Sequence, residues 1–171
     1  AMTPDHVVAS IVEGNSETDF VSKNEEFVQF VDKLAEMALN AENDDMEAFR
    51  SMYFEDEGTV EDALKSKIAK IGENLNIRRF HKLNTPGVVY TSYIHGGGKI
   101  GVVVGIKTDA SADEIETCAK DVAMQVASMS PKFVNDEQVD PGWLESETEI
   151  ARQQLLNEGK PEEPLERIIP G

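Results

Sequence analysis

The run Gly96-Gly97-Gly98-Lys99-Ile100-Gly101 is where this sequence comes nearest to a nucleotide-binding motif. It fits the dinucleotide pattern G-x-G-x-x-G letter by letter, and such glycines let the backbone approach a pyrophosphate closely. That chemistry needs a helix after the glycines, with its N-terminus facing the phosphate. Here Ile100-Gly101-Val102-Val103-Val104 follows instead, a β-branched run that reads as a strand. Nor is it a P-loop, because Ile100 stands where that motif requires Ser or Thr after the lysine. A hairpin turn using glycine for positive φ explains the run better. A nucleotide-binding enzyme working through Gly96 to Gly101 is the alternative.

The other reactive side chains lack partners at chemical spacing. Cys118 is the only cysteine, so no intrachain disulfide forms, a reducing compartment is expected, and no histidine lies nearby to activate a thiolate. His6, His81 and His95 are far apart and show no C-x-x-C or H-x-x-x-H partner spacing, which argues against a metal. Glu55-Asp56-Glu57-Gly58 lacks the alternating oxygen ligands of a calcium loop. No catalytic residue, metal or cofactor is expected. With 33 acidic against 16 basic residues the chain carries a formal charge of −17. Binding to a phosphate backbone depends on Lys and Arg, so a nucleic-acid partner is not expected, whereas basic patches on a protein partner are favoured. The one basic knot is Arg78, Arg79, His81 and Lys82; on a strand, Arg78 and Phe80 face one way and Arg79 and His81 the other. Local ion pairs with the abundant carboxylates are its expected fate. No stretch approaches the roughly 18 apolar residues that span a bilayer, the longest candidate being Ile100 to Ile106 with a glycine inside it.

Ser16-Glu17-Thr18-Asp19-Phe20-Val21 is different. It falls between a strand and a capped helix, and a loop held by rigid elements at both ends is a usual place to display functional groups. With Ser22 as the helix cap, a hydrophobic staple would pair Val21 with Glu26, which does not fit. Phe20 is left without a local home, beside the short charged side chain of Asp19. The chemistry this suggests is contact with another protein, with an inert scaffold as the alternative.

The elements around that loop follow from periodicity and caps. His6 to Glu13 is rich in β-branched residues and ends at Gly14-Asn15, so it reads as a strand. Ser22-Lys23-Asn24-Glu25 has the form of a capping box, and Phe27, Phe30, Val31, Leu34, Met37 and Ala38 recur behind it at helical spacing. Asn43 to Gly58 is acidic and poorly periodic, a loop with a short helix. Thr59 and Asp62 start a second helix with Val60, Leu64, Ile68 and Ile71 on one face, closed by Gly72. Ile77 to Leu83 reads as a strand, and Val88 to Ile94 with Ile100 to Ile106 as a hairpin. Ser111 to Glu114 caps a helix with Ile115, Ala119, Val122, Val126 and Met129 inward, ended by Ser130-Pro131. After Asp140-Pro141-Gly142 comes an acidic helix from Leu144 to about Asn157, with Ile150 and Leu155 or Leu156 on a narrow apolar face; Gly159-Lys160-Pro161 breaks it, and Pro164 to Ile169 forms a last turn or two. The sum is an α+β fold, a small antiparallel sheet of three to four strands packed with several helices. His6 to Glu13 is expected in that sheet, because a lone strand cannot satisfy its own backbone groups.

Five blocks then carry a resemblance. Asn15-Ser16-Glu17-Thr18-Asp19-Phe20-Val21-Ser22-Lys23-Asn24-Glu25-Glu26-Phe27 resembles the signature of the bacterial elongation factor Ts family. Similar to that family, in its order, are Ile71-Gly72-Glu73-Asn74 with Arg78-Arg79-Phe80; Tyr93-Ile94-His95-Gly96-Gly97-Gly98-Lys99-Ile100-Gly101-Val102; Asp121-Val122-Ala123-Met124-Gln125-Val126-Ala127; and Leu156-Asn157-Glu158-Gly159-Lys160-Pro161-Glu162. The resemblance implies a cytoplasmic guanine-nucleotide exchange factor for elongation factor Tu, in its GDP-bound and nucleotide-free forms, and not an enzyme. It implies that Asp19 and Phe20 disturb the partner's phosphate-binding loop and the water shell of its Mg²⁺, with Thr18, Val21, His95, Gly96 and Gly97 also at the partner contact. It further implies that residues 3–140 are a first core subdomain and residues 141–171 a helical extension leading toward a second subdomain that this chain lacks. Parent proteins of the family often add a dimerising helical hairpin. Ala1-Met2 reads as a cloning remnant, and the chain as a piece of a longer protein.

Overall fold

Caps and apolar spacing place the helices, and side-chain bulk decides which faces meet. A computed structural model of the chain describes residues 1–159. Elements run β1 (Ala9–Asn15), α1 (Asp19–Ser22), α2 (Glu25–Ala38), α3 (Met46–Arg50), α4 (Val60–Ile71), β2 (Asn76–Leu83), β3 (Val88–His95), β4 (Ile100–Lys107), α5 (Ala112–Met129) and α6 (Pro141–Asn157). The fold is α+β. Among the described residues four strands form two antiparallel ribbons, β1 with β2 and β3 with β4, rather than one continuous sheet. One compact unit covers Ala1–Ser130 and a second begins at Pro131. The turn expected over Pro164 to Ile169 and the break at Lys160-Pro161 lie outside the described residues.

The main core of the first unit joins β1, β2 and helices α2 to α4. Phe27, Phe30, Leu34 and Ala38 of α2 are buried there with Val60, Ala63, Leu64, Ile77 and Phe80, while Val31, Met37, Ile68 and Ile71 pack around them. Asn24, not Ser22, caps α2: its Oδ1 accepts the N–H groups of Glu26 at 2.9 Å and Phe27 at 3.4 Å. Ser22 instead ends the preceding helical turn and donates its hydroxyl to the carbonyl of Asp19 at 3.0 Å. Both residues are good caps, and the extra turn at Asp19 moved the helix start by two positions. The box at Thr59 forms in both directions, with the Asp62 carboxylate accepting the Thr59 hydroxyl at 2.7 Å and Thr59 Oγ1 accepting the Asp62 N–H at 3.2 Å. Gly72 closes α4 at φ 81°.

Strand β1 starts at Ala9 rather than His6, since His6 sits in a turn at φ 60°. Glu13 pairs with Arg79 and Gly14 with Ile77, so Arg78 is an extra residue in β2. This irregularity resets the side-chain phase. Ile77 and Phe80 therefore both enter the core, and Arg78 does not share the face of Phe80. Instead Arg78 and Arg79 both donate to the Glu13 carboxylate, at 3.0 and 2.6 Å. The acidic segment after Asn43 contains α3 and contributes Phe49 and Phe54 to the core, with Phe49 stacked on Phe80 at 4.3 Å between ring centres. Asp44 fastens it to β2, accepting the Lys82 N–H at 3.0 Å and lying 2.9 Å from His81 Nδ1.

The second cluster lies between the β3–β4 ribbon and α5. Val102, Ala123 and Ala127 are buried, with Tyr93, Val104 and Val126 packed against them. Val122 and Met129, expected inward, are 41% and 67% exposed. Ala119 is buried as expected, and Ala123 and Ala127 continue its stripe in their place. Small residues at four-residue spacing let the helix backbone approach the ribbon, and the larger side chains turn to its flanks. In the second unit Asp140 caps α6 with Pro141 in its first turn, no residue of the helix is buried, and Phe133 meets Trp143 edge-on at 5.0 Å.

Ser10 is 1% exposed, and its hydroxyl donates to the carbonyl of Ala35 where the last turn of α2 tightens and the Leu39 N–H goes to Glu36. Ser10→Ala is expected to cost about 1–2 kcal/mol in urea unfolding, because the buried hydrogen bond between β1 and α2 is lost. Acid should also weaken the fold. Hydrogen bonds from His81 and Lys82 hold Asp44 below the ordinary carboxylate range, and those of Thr59 do the same for Asp62. Partial burial pushes Glu13 up, but the Arg78 and Arg79 hydrogen bonds outweigh it and its net shift is downward. The unfolded chain therefore binds more protons in this range; the stability is present above the unfolded values near pH 4 and is lost as pH falls through the lower folded ones. Urea midpoints measured from pH 6 down to about pH 2 should decline below about pH 5, and a flat profile would refute this.

Candidate functional site

Between β1 and α2 the chain makes a single helical turn. Thr18 caps it with extended backbone angles, and its Oγ1 accepts the Val21 N–H at 3.4 Å. Asp19 begins the turn and forms an ion pair with Lys23 at 3.2 Å, both side chains 59% exposed. So short a helix is unstable alone, because nucleation fixes several dihedrals for one hydrogen bond. Two tethers hold it. Val21 packs against the main core. At the other end the Glu73 carboxylate accepts the Thr18 hydroxyl at 2.6 Å and the Thr18 N–H at 3.1 Å. Between these anchors Phe20 stands 84% exposed, the most exposed large apolar side chain of the first unit.

His95 ends β3 opposite Ile100, exposed, with its Nδ1 2.9 Å from the Tyr93 hydroxyl. Gly96, Gly97 and Gly98 then take φ values of 61°, 66° and 96°, which only glycine adopts without strain in succession. β4 follows directly, so no helix N-terminus faces these glycines and the phosphate cradle of a dinucleotide site is not formed. The hairpin turn expected from the sequence is what they build.

The two ribbons bring both features to one end of the unit. The Tyr90 N–H donates to the His6 carbonyl at 2.8 Å, and farther along Ile11 Cδ1 lies 3.5 Å from where a side chain at Gly101 would begin. Gly101 lies on β4 opposite Ile94 of β3, so β1 and β3 run in the same direction, and the Thr18–Ser22 turn and the Gly96–Gly98 turn follow their ends. Among the described residues no hydrogen bond or ion pair joins the two turns. Among the described residues there is also no group of three or more His, Cys, Asp or Glu that could hold a metal ion, and no helix is long and apolar enough to cross a membrane. Cys118 is exposed on α5.

Glu73 had no assigned role from local pattern, although it lies in one of the resembling blocks. It sits 55 positions from Thr18. The available signal is that it follows the left-handed Gly72, where a chain leaving a helix changes direction.

A family model described as Elongation factor TS matches residues 17–171. Elongation factor Ts of Clostridioides difficile (strain 630) is 47% identical over 170 residues, covering 99% of this chain and 56% of that protein. The protein of the same name from Clostridium botulinum (strain Alaska E43 / Type E3) is 42% identical over 170 residues, with the same coverage. That of Clostridium novyi (strain NT) is 45% identical over 172 residues, again 99% of this chain and 56% of the relative. The chain thus spans little more than half the length of these curated relatives. The match takes in the capped turn, the main core, the glycine hairpin and α6, and with them the chain belongs to the elongation factor Ts family.

Proposed function

We propose that this chain is part of a guanine-nucleotide exchange factor that promotes GDP release from elongation factor Tu during translation elongation. Its working element is the turn at Asp19-Phe20, pressed against the partner near the phosphate and Mg²⁺ site. Thr18 and Val21 hold that turn, and His95, Gly96 and Gly97 extend the contact at the same end of the unit. The observation that carries this proposal is Phe20, 84% exposed on a turn anchored at both ends. An exposed aromatic on a rigid mount is poorly explained by folding alone, since burying it would gain roughly 1.5–3 kcal/mol.

The mechanism is mechanical and electrostatic. A ring wedged among packed helices displaces them, and the carboxylate of Asp19 competes for the partner's cation environment. Loss of Mg²⁺ leaves the diphosphate's charge poorly compensated, and GDP departs. No bond is made or broken, so no general acid, base or nucleophile is needed, and the protein is not an enzyme in the covalent sense. The factor binds the partner in its GDP-bound form and holds it in its nucleotide-free form once GDP has left. Net charge of −17 favours a protein partner over nucleic acid or an anionic membrane, and the parent protein works in the cytoplasm with the rest of the translation machinery.

Magnitude limits what the turn does unaided. A thousandfold acceleration needs about 4 kcal/mol of coupling between factor and nucleotide. One buried Phe supplies roughly 1.5–3 kcal/mol. The parts of the relatives beyond this chain therefore contribute binding energy, and this chain alone exchanges more weakly than they do.

Release of a fluorescent GDP analogue from elongation factor Tu, with micromolar chain, tests this directly. Wild type should accelerate release, less than a full-length relative does, and Phe20→Ala should remove most of the effect. The variant's unfolding free energy should change by less than about 0.5 kcal/mol, as for other exposed surface positions. Equal acceleration by wild type and variant would sink the assignment to Phe20. A second test separates the nucleotide-binding alternative: calorimetric titration of the isolated chain with GDP, GTP or NAD should show no binding, and saturable binding lost in a Gly97 variant would favour that alternative instead.

A further inference from the structure

We propose that Glu73 is a positioning residue for exchange, a latch that holds the Asp19-Phe20 turn in its competent shape; this rests on the function proposed above. Three observations carry it. First, the turn is a four-residue helix with no buried residue of its own, too short to persist without outside support. Second, both hydrogen-bond donors of its cap converge on one carboxylate, the Thr18 hydroxyl at 2.6 Å and the Thr18 N–H at 3.1 Å. Hydrogen bonds to an ionised acceptor are stronger than neutral ones, and the paired geometry fixes orientation as well as position. Third, Glu73 stands on a rigid post. Gly72 closes α4 beside it, and Leu75, 3% exposed, is buried in the main core two residues later.

The two tethers divide the labour. Val21 anchors the far side of the turn by apolar packing, which sets depth but tolerates rotation. The latch at Thr18 removes that freedom. With it closed, Phe20 is presented in one orientation and binding need not order the turn. With it open, only a fraction of molecules present Phe20 correctly, and the apparent affinity for the partner falls by that fraction while the bound complex is unchanged.

That distinction sets the test. Exchange on elongation factor Tu is measured against concentration of wild type, Glu73→Ala and Glu73→Gln. Glu73→Ala should raise the half-saturating concentration about tenfold with the maximal rate unchanged, and Glu73→Gln, which keeps one acceptor, should recover part of the loss. In a background lacking both working side chains, Asp19→Ala with Phe20→Ala, Glu73→Ala should add nothing, since nothing is left for the turn to present. Amide hydrogen exchange of the isolated variants is the independent arm: Glu73→Ala should speed exchange at Thr18 to Lys23 and leave α2 and β2 protected. A lowered maximal rate at unchanged half-saturation, or an additive loss on top of Asp19→Ala with Phe20→Ala, overturns the positioning role. Unchanged protection of Thr18 to Lys23 overturns the latch itself. If neither wild type nor Phe20→Ala accelerates GDP release, the proposed function fails for this chain, and the hydrogen-exchange arm still decides whether Glu73 orders the turn.

Discussion

Helix α2 can lie against β1 as closely as it does only because residue 14 has no side chain. A Cβ at Gly14 would come within 2.7 Å of Val31 Cγ2 and 3.5 Å of Phe27 Cζ, contacts that a stiff β-branched residue on a helix cannot relieve by rotating away. At the other end of the same contact, Ser10 ties the strand to the Ala35 carbonyl. The two points fix both the separation and the direction of α2 relative to β1. Residues 16–24 must then reverse the chain over a short span, and one helical turn capped by Thr18 is how they do it. Within that turn Val21 packs against the core of Phe27, Phe30 and Leu34, while Phe20 stays exposed.

The same strand organises what lies on its other side. The extra residue at Arg78 lets Ile77 and Phe80 share one core and leaves two guanidinium groups on a single carboxylate, Glu13. Exposed pairs of this kind each contribute little, on the order of 0–1 kcal/mol. Their number matters more for an acidic chain, where they neutralise carboxylates that would otherwise repel. Lys67, only 16% exposed at its side chain, bridges Glu26 and Glu57. Lys33 reaches Glu55 and Arg50 reaches Glu61, and Arg50 also donates to the Ile77 carbonyl at 3.2 Å. Through these links the acidic segment from Asn43 to Gly58 is sewn over the core, with Phe49 and Phe54 as its buried underside.

The second ribbon is built on a different principle. Gly105 has no room for a side chain, since a Cβ there would meet Val88 at 2.7 Å and Tyr90 at 2.8 Å. The alanine stripe of α5 likewise replaces bulk with proximity. Close packing of this kind holds β3 to β4 and the ribbon to α5, and the Gly96–Gly98 turn stands at its end.

Local chemistry was legible from the sequence wherever a residue's role depends on its near neighbours. The box at Thr59 and Asp62, the left-handed stop at Gly72, the apolar stripe of α2 and the hairpin at Gly96–Gly98 all follow from spacing and from what glycine and hydroxyl side chains do to a backbone. So did the singling out of Phe20, a ring with no local partner. What failed was choice among equivalent local options: Ser22 against Asn24 as cap, Val122 against Ala123 as the inward face, the phase of β2 around Arg78. The local preferences within each pair are small, so context decides between them: the extra turn at Asp19 for the cap, the close approach of the ribbon for Ala123, the irregular pairing with β1 for Arg78. Amino-acid order by itself thus determined most of the elements, the caps at Thr59 and Ser111, and a ring at Phe20 without a local partner. Only the folded chain decided that β1–β2 and β3–β4 stand as two ribbons, that the acidic segment covers the core, and that Glu73 meets Thr18, because those outcomes depend on distances between residues tens of positions apart.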